Sequence, residues 1–262
     1  MLGRVFGRDM AGFCLVLAVT LGCPPAARAQ WQLGVSRGAV ALVSPPAAPI
    51  VAAAEPFGLD AEPLTFGAIS RKWNAVEADI RAESNILAQC REGERICPAA
   101  AQKFLAVIAA GRARNGLARI GVINRAINLS IHPTSDLAQW GVPDRWSSPL
   151  VTLTGGRGDC EDYAIAKYVA LREAGVAAVD LRLVILHDLA VGQDHAVVAA
   201  RLDGRWIMLD NRWLALVADS DLHRVVPLFT IDGDGVKQFA PPAMTQAHRA
   251  VPAVAAPSAL GF

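Results

Sequence analysis

The sequence predicts an α+β domain: a run of helices, a cysteine-bearing helix, then an antiparallel sheet. Three observations carry that prediction. Apolar residues recur at helical spacing up to about residue 131. They give way beyond residue 180 to β-branched and alternating runs. Asp203-Gly204, a strong tight-turn dipeptide, separates two of those runs.

The first 29 residues stand apart from this domain. Arg4 and Arg8 precede an apolar run from Ala11 to Gly22, and Ala27-Arg28-Ala29 offers a small-x-small cleavage site. This is a signal-peptide layout, and the run is short for a spanning helix, so residues 1–29 are expected to be removed on export. Cys23 offers a lipoprotein reading, against which Thr20 stands where an aliphatic residue is preferred. Residues 30–65, rich in Ala, Pro and Val, read as a mobile N-terminal arm or an extended linker.

The folded domain is expected over residues 66–239. Trp73, Val76, Ile80 and Leu87 mark one face of a first helix. Pro98 suits the first position of a second, through Phe104, Leu105 and Ile108. Gly116 is read as its end, and Leu117 to Ile131 as a third helix. Pro133 to Pro149 reads as a loop holding Trp140 and Trp146, core or cleft-wall residues. A fourth helix runs from about Cys160 to Ala174 and stops at Gly175. Strands are expected at 181–189, 195–202, 205–210 and 225–231, and a disordered Pro/Ala-rich tail from residue 240.

Charge and cysteines narrow the function. Cleavage removes Arg4, Arg8, Arg28 and Asp9 from 25 basic and 24 acidic residues, leaving 22 and 23, a net charge of −1. Such a chain, with no basic cluster, has no electrostatic basis for binding nucleic acid. Of five cysteines three remain: Cys90, Cys97 and Cys160. Cys90 and Cys97 enclose a short polar segment and are expected to pair in an oxidising compartment, the other reading being two small buried residues. That leaves Cys160 alone.

Cys160 lies in Gly158-Asp159-Cys160-Glu161-Asp162-Tyr163, at the start of the fourth helix. A catalytic thiol works as thiolate, which a helix N-terminus favours. Three adjacent carboxylates oppose it, so an imidazolium or a bound hard cation is needed as an offset. Calcium, which takes several oxygen ligands, suits Asp159, Glu161 and Asp162 better than zinc. The same acids also suit a plain helix start, with Asp159 as N-cap and the other two meeting the dipole.

The turn at Asp203-Gly204 tests for a partner base. A two-residue loop pairs Leu202 with Arg205. His195 then lies opposite Arg212, with Asp210 its diagonal neighbour on the face away from Ala196, Val198, Ala200, Ile207 and Leu209. One hairpin thus offers an imidazole and an orienting carboxylate to Cys160. His187, beside Asp188, is the competing base. Asn211 and Tyr163 are candidate supports, and the Cys160 backbone N–H is a candidate oxyanion donor.

At these residues the chain resembles the bacterial transglutaminase-like cysteine peptidases, the family of the periplasmic LapG-type proteases. The resemblance runs from about Trp73 to Asn211. It rests on Trp140-Gly141-Val142 with Trp146, on Gly158 through Tyr168 (GDCEDYAIAKY), on His195-Ala196-Val197 and on Leu209-Asp210-Asn211. It implies a papain/transglutaminase-like fold, Cys160 as nucleophile, His195 as general base and then acid, and Asp210 as the orienting carboxylate. It also implies calcium at Asp159 and Glu161, with Asp162 beside them. Its further implications are a protein substrate such as a large surface adhesin clipped near its N-terminus at an alanine-containing site, and an inner-membrane cyclic di-GMP receptor as regulator. Two other readings stay open: an amidase or transglutaminase-type acyl transfer on the same site, and a catalytically silent, calcium-stabilised binding module.

Overall fold

The computed structural model describes residues 55–93 and 96–240. The export segment, most of the expected arm and the tail lie outside them. A short strand β1 (Ala61–Pro63) leads into α1 (Ala68–Glu92), which buries Trp73, Val76, Ile80 and Leu87 on one stripe. It ends at Gly93, whose left-handed φ of 72° lets its N–H reach the Gln89 carbonyl. Cys90 and Cys97 are joined in a disulfide that staples α1 to the start of α2 (Ala99–Arg112). Pro98 is the N-cap of α2 rather than its first helical residue.

Gly116 opens α3 (Gly116–Asn128) instead of closing α2, and α3 stops three residues before the expected Ile131. There the chain turns into β2 (His132–Pro133). One short helix lies within the expected loop and a second begins at its last residue. The first is α4 (Asp136–Trp140), with Ser135 as its N-cap, and the second α5 (Pro149–Gly155). The N-terminus of α5 is satisfied from another helix: buried Glu83 of α1 accepts from Ser148 Oγ at 2.5 Å and from the Leu150 N–H at 3.0 Å. Then β3 (Arg157–Gly158) pairs in parallel with β2 and delivers the chain into α6 (Cys160–Glu173). Gly175, at φ 91°, closes α6 with bonds from its own N–H to Arg172 and from the Val176 N–H to Leu171.

Beyond α6 come β4 (Leu181–Asp188), β5 (Gln193–Leu202), β6 (Arg205–Leu209), β7 (Val217–Ala218), β8 (Val225–Asp232) and β9 (Gly235–Phe239). They form one sheet in the order β1-β9-β8-β4-β5-β6-β7, antiparallel at every pairing. The β5–β6 hairpin has the expected register, Leu202 opposite Arg205 and Val198 opposite Leu209. Asp203 and Gly204 both take positive φ, as a type I′ turn requires. The fourth expected strand, β8, pairs with β4 and not with the hairpin's outer edge. The short strands β1, β7 and β9 carried too little alternation to be read.

The helices cover one face of the sheet, where Ala196, Val198, Ala200, Ile207 and Leu209 join the main core. The opposite face is also apolar. Val184, Leu186, Val197, Ala199, Trp206, Met208 and Phe239 form a second, smaller core. Part of the expected arm helps close it. Glu55 makes a bidentate pair with buried Arg182 (2.6 and 3.1 Å), Phe57 stacks edge-on against Phe239, and the Leu64 N–H bonds the Val236 carbonyl. Residues 55–65 are thus part of the domain, not a linker.

Candidate active site

Helix α6 is buried from Asp162 to Leu171, so its N-terminus is held rigidly at the end of the sheet. Cys160 is its first residue, and a helix's first N–H groups have no intrahelical acceptor. Gly158 sets the approach. A Cβ there would lie 2.6 Å from Asp162 Oδ2 and 2.7 Å from Asp162 Cβ, so only glycine lets the chain pass over that carboxylate.

His195 of β5 and Asp210, just past β6, are both buried, and His195 Nε2 meets Asp210 Oδ1 at 2.9 Å. The same oxygen accepts the Arg212 N–H at 2.9 Å, and the Asp210 carbonyl accepts from Asn128 of α3 at 2.9 Å. The carboxylate is therefore fixed from two sides. Burial pushes the Asp210 carboxyl up, but the hydrogen bond and charge of His195, with the Arg212 N–H, hold it below its ordinary value. Cys160, His195 and Ala196 line one cleft of about 610 Å³. With Nε2 spent on Asp210, Nδ1 is the imidazole nitrogen left for a partner in that cleft.

The thiol is pushed up by burial, by the Glu161 charge and hydrogen bond, and by Asp159; the Ala196 backbone N–H works the other way. Cys160 Sγ donates to Glu161 Oε2 at 3.1 Å. The neighbouring acids are perturbed as well. Burial, then the Glu161 charge, raises Asp159 to about 8, while burial raises Glu161 and Asp136.

Asp136 is the residue that local reading missed. Oxygens of Asp136, Asp159 and Glu161 lie within 4.8 Å of one another. The parallel β2–β3 pairing brings them together, because Asp136 follows β2 by three residues and Asp159 follows β3 by one. Nothing in the stretch around Asp136 marks it as a partner of residues so distant in sequence. Asp136 Oδ1 and Asp159 Oδ1 are buried and make no hydrogen bond among the described residues. An all-oxygen donor set with unsatisfied buried atoms fits a hard cation such as calcium.

Asp162, expected with the metal acids, is placed elsewhere. It turns into the core beneath Gly158, accepts the Ser147 N–H at 2.8 Å, and is raised by burial to about 7. One helical position beyond Glu161, its side chain leaves on a different face. It ties the Trp146 loop to α6. His187 is half-exposed and pairs with Asp194 across the β4–β5 ladder at 2.7 Å, while Asp188 holds Arg212. Tyr163 Oη donates to the Ile131 carbonyl at 2.6 Å, joining α6 to the end of α3. Trp146 lines the cleft, whereas the Trp140 ring carries the Arg145 guanidinium at 4.2 Å.

The model of the bacterial transglutaminase-like cysteine proteinases (BTLCP) matches residues 83–221. The chain belongs to this family. Solved structures of Legionella pneumophila LapG are similar to this BTLCP member in fold, each at a TM-score of 0.50. One is 21% identical over 59% of this chain and 86% of its own. A calcium-bound form is 19% identical over 61% and 92%, and an EGTA-treated form is 21% identical over 63% and 87%. No curated protein is a significant match. The BTLCP chain is thus a cysteine proteinase by family, with an α+β transglutaminase-like architecture.

Proposed function

We propose that the protein is an exported, calcium-dependent cysteine endopeptidase in which Cys160, His195 and Asp210 form the catalytic triad. The observation that carries this reading is the buried His195–Asp210 pair opening on the cleft that holds Cys160. His195 takes the thiol proton, and the Cys160 sulfur attacks a peptide carbonyl. The Cys160 backbone N–H, among the first of its helix and without an intrahelical acceptor, stabilises the oxyanion in this reading. His195 then protonates the departing amine, and water attacks the thioester to release the acyl part. Asp210 holds the imidazole in one orientation and stabilises its charged form.

Asp136, Asp159 and Glu161 would hold the calcium. Bound there, the ion would neutralise the carboxylates that oppose thiolate formation. In the resemblance to LapG-type proteases the substrate is a large surface adhesin and the regulator an inner-membrane cyclic di-GMP receptor, and we extend both to this protein. A periplasmic location is supported by the first 29 residues and by the Cys90–Cys97 disulfide.

The test is alkylation of Cys160 by iodoacetamide, followed by intact mass. It is run with calcium and with chelator, on the wild type and on His195→Ala and Asp136→Asn. Fast labelling that requires His195, calcium and Asp136 is expected. Labelling indifferent to calcium removes the metal from the reading, and slow labelling of the wild type under every condition favours the silent binding module. Product mass separates hydrolysis, which gives two fragments, from amine transfer, which gives one heavier species.

A further inference from the structure

Six large apolar side chains help wall the cleft that holds Cys160: Leu64, Phe66, Ile69, Trp146, Ile185 and Phe229. They come from five parts of the chain: the β1–α1 junction, the first turn of α1, the Trp146 loop, β4 and β8. Phe66 is the outlying member, 77% exposed. A single exposed phenylalanine is unremarkable, but this one lines the same cleft as the thiol.

Its backbone is firmly held. Buried Ser70 donates from Oγ to the Leu64 carbonyl at 2.7 Å and to the Phe66 carbonyl at 3.3 Å. The Leu64 N–H is tied to β9, and Gly67, at φ 110°, makes the turn into α1. The aromatic ring thus stands in water on a fixed support, where covering it costs little ordering.

The charged groups of the same cleft are largely spoken for. Lys72 is paired with Asp144, and Asp194 with His187. Glu161 belongs with the acids beside the thiol. Among the described residues, apolar side chains are therefore what the cleft offers beyond charges that already have partners.

We propose that this wall is a substrate subsite for a large apolar side chain (Leu, Ile, Met or Phe) within three residues of the scissile bond, with Phe66 as its specificity-determining residue. The proposal rests on the reading of Cys160 as the nucleophile. An extended peptide whose carbonyl lies at Cys160 covers the ring of Phe66 with that side chain. A small residue at the same position leaves the ring in water.

A tryptic digest of a bacterial proteome serves as the probe, incubated with the wild type and with Phe66→Ala, Phe66→Leu and Cys160→Ala. New ends are identified by mass spectrometry. The expected result is enrichment of large apolar residues at one fixed position in cuts that Cys160→Ala does not make. For two synthetic peptides differing only as Leu or Ala at that position, the wild-type ratio of kcat/KM is expected to be about tenfold or more. That ratio falls to about two in Phe66→Ala and recovers in Phe66→Leu.

An unchanged ratio in Phe66→Ala overturns the proposal. So does a profile of only small or charged residues, or an uncut digest from a chain whose Cys160 still labels rapidly with iodoacetamide. Failure of Cys160 to label marks a different failure, that of the nucleophile reading itself.

Discussion

Lys167 offers the sharpest test of the physics of this core. It lies in the middle of α6, fully buried, and its Nζ makes no hydrogen bond among the described residues. The nearest π-face is Tyr163, 5.9 Å away. Burial lowers its pKa from 10.5 to about 7, with the Asp210 carboxylate pulling the other way. At 1.36 kcal/mol per pH unit, that difference corresponds to roughly 5 kcal/mol of penalty for the charged form. Below pH 7 the ammonium is charged in both states and the penalty is complete. As pH rises from 7 to 10.5 the folded protein sheds the proton while the unfolded chain keeps it, so stability climbs through that window. Lys167→Met, which replaces the ammonium with an apolar chain of similar length, removes both the penalty and its pH dependence. In urea unfolding, Lys167→Met is expected to be more stable than wild type by several kcal/mol at pH 6. By pH 9 that gap should narrow by about 3 kcal/mol. A variant less stable than wild type at pH 6, or parallel stability curves from pH 6 to 9, would refute the reasoning.

Three further outcomes follow from the site and its supports. Asp210→Asn keeps the side-chain volume but removes the charge facing His195, so Cys160-dependent cleavage should fall about 10²- to 10⁴-fold in kcat with near-UV circular dichroism unchanged. Gly158→Ala drives a methyl group onto buried Asp162 and should cost about 1–3 kcal/mol in urea unfolding. Reducing Cys90–Cys97, which closes a loop with a sequence separation of 7, should cost about 2–3 kcal/mol, read as the shift between midpoints with and without dithiothreitol.

Much of the architecture was legible because it depends on local periodicity. The stripe Trp73, Val76, Ile80 and Leu87 can be satisfied only by a helix with one buried face. Asp203-Gly204 dictates a type I′ turn, and with it the register that places His195 and Asp210 on one side of the hairpin. The cysteine motif fixed the start of α6, since Gly158 and Gly175 bracket a continuous helical run. What escaped was whatever depended on a distant segment. The face carrying His195 looked free in the sequence, yet Phe57, Phe239 and the β1–β9 edge enclose a second core on it. Glu83 reads as an ordinary surface acid of α1, and its work capping α5 requires the two helices to meet.

The candidate metal acids divide along the same line. Asp159, Cys160 and Glu161 are neighbours in the chain, and their chemistry follows from covalent proximity to a helix N-terminus. Asp136 joins them only because β2 pairs with β3, while Asp162, one helical step from Glu161, faces the core into which α6 packs. Sequence by itself determined the thiol, its helix and the hairpin with its imidazole and carboxylate; the structure closed the Cys90–Cys97 staple that the sequence had left open. Tertiary structure decided which acids share a cavity, which side chains wall the cleft, and that a lysine would lie buried beneath the site. Backbone propensities act over a few residues, whereas electrostatic and apolar contacts are made between whichever segments the packed chain brings together.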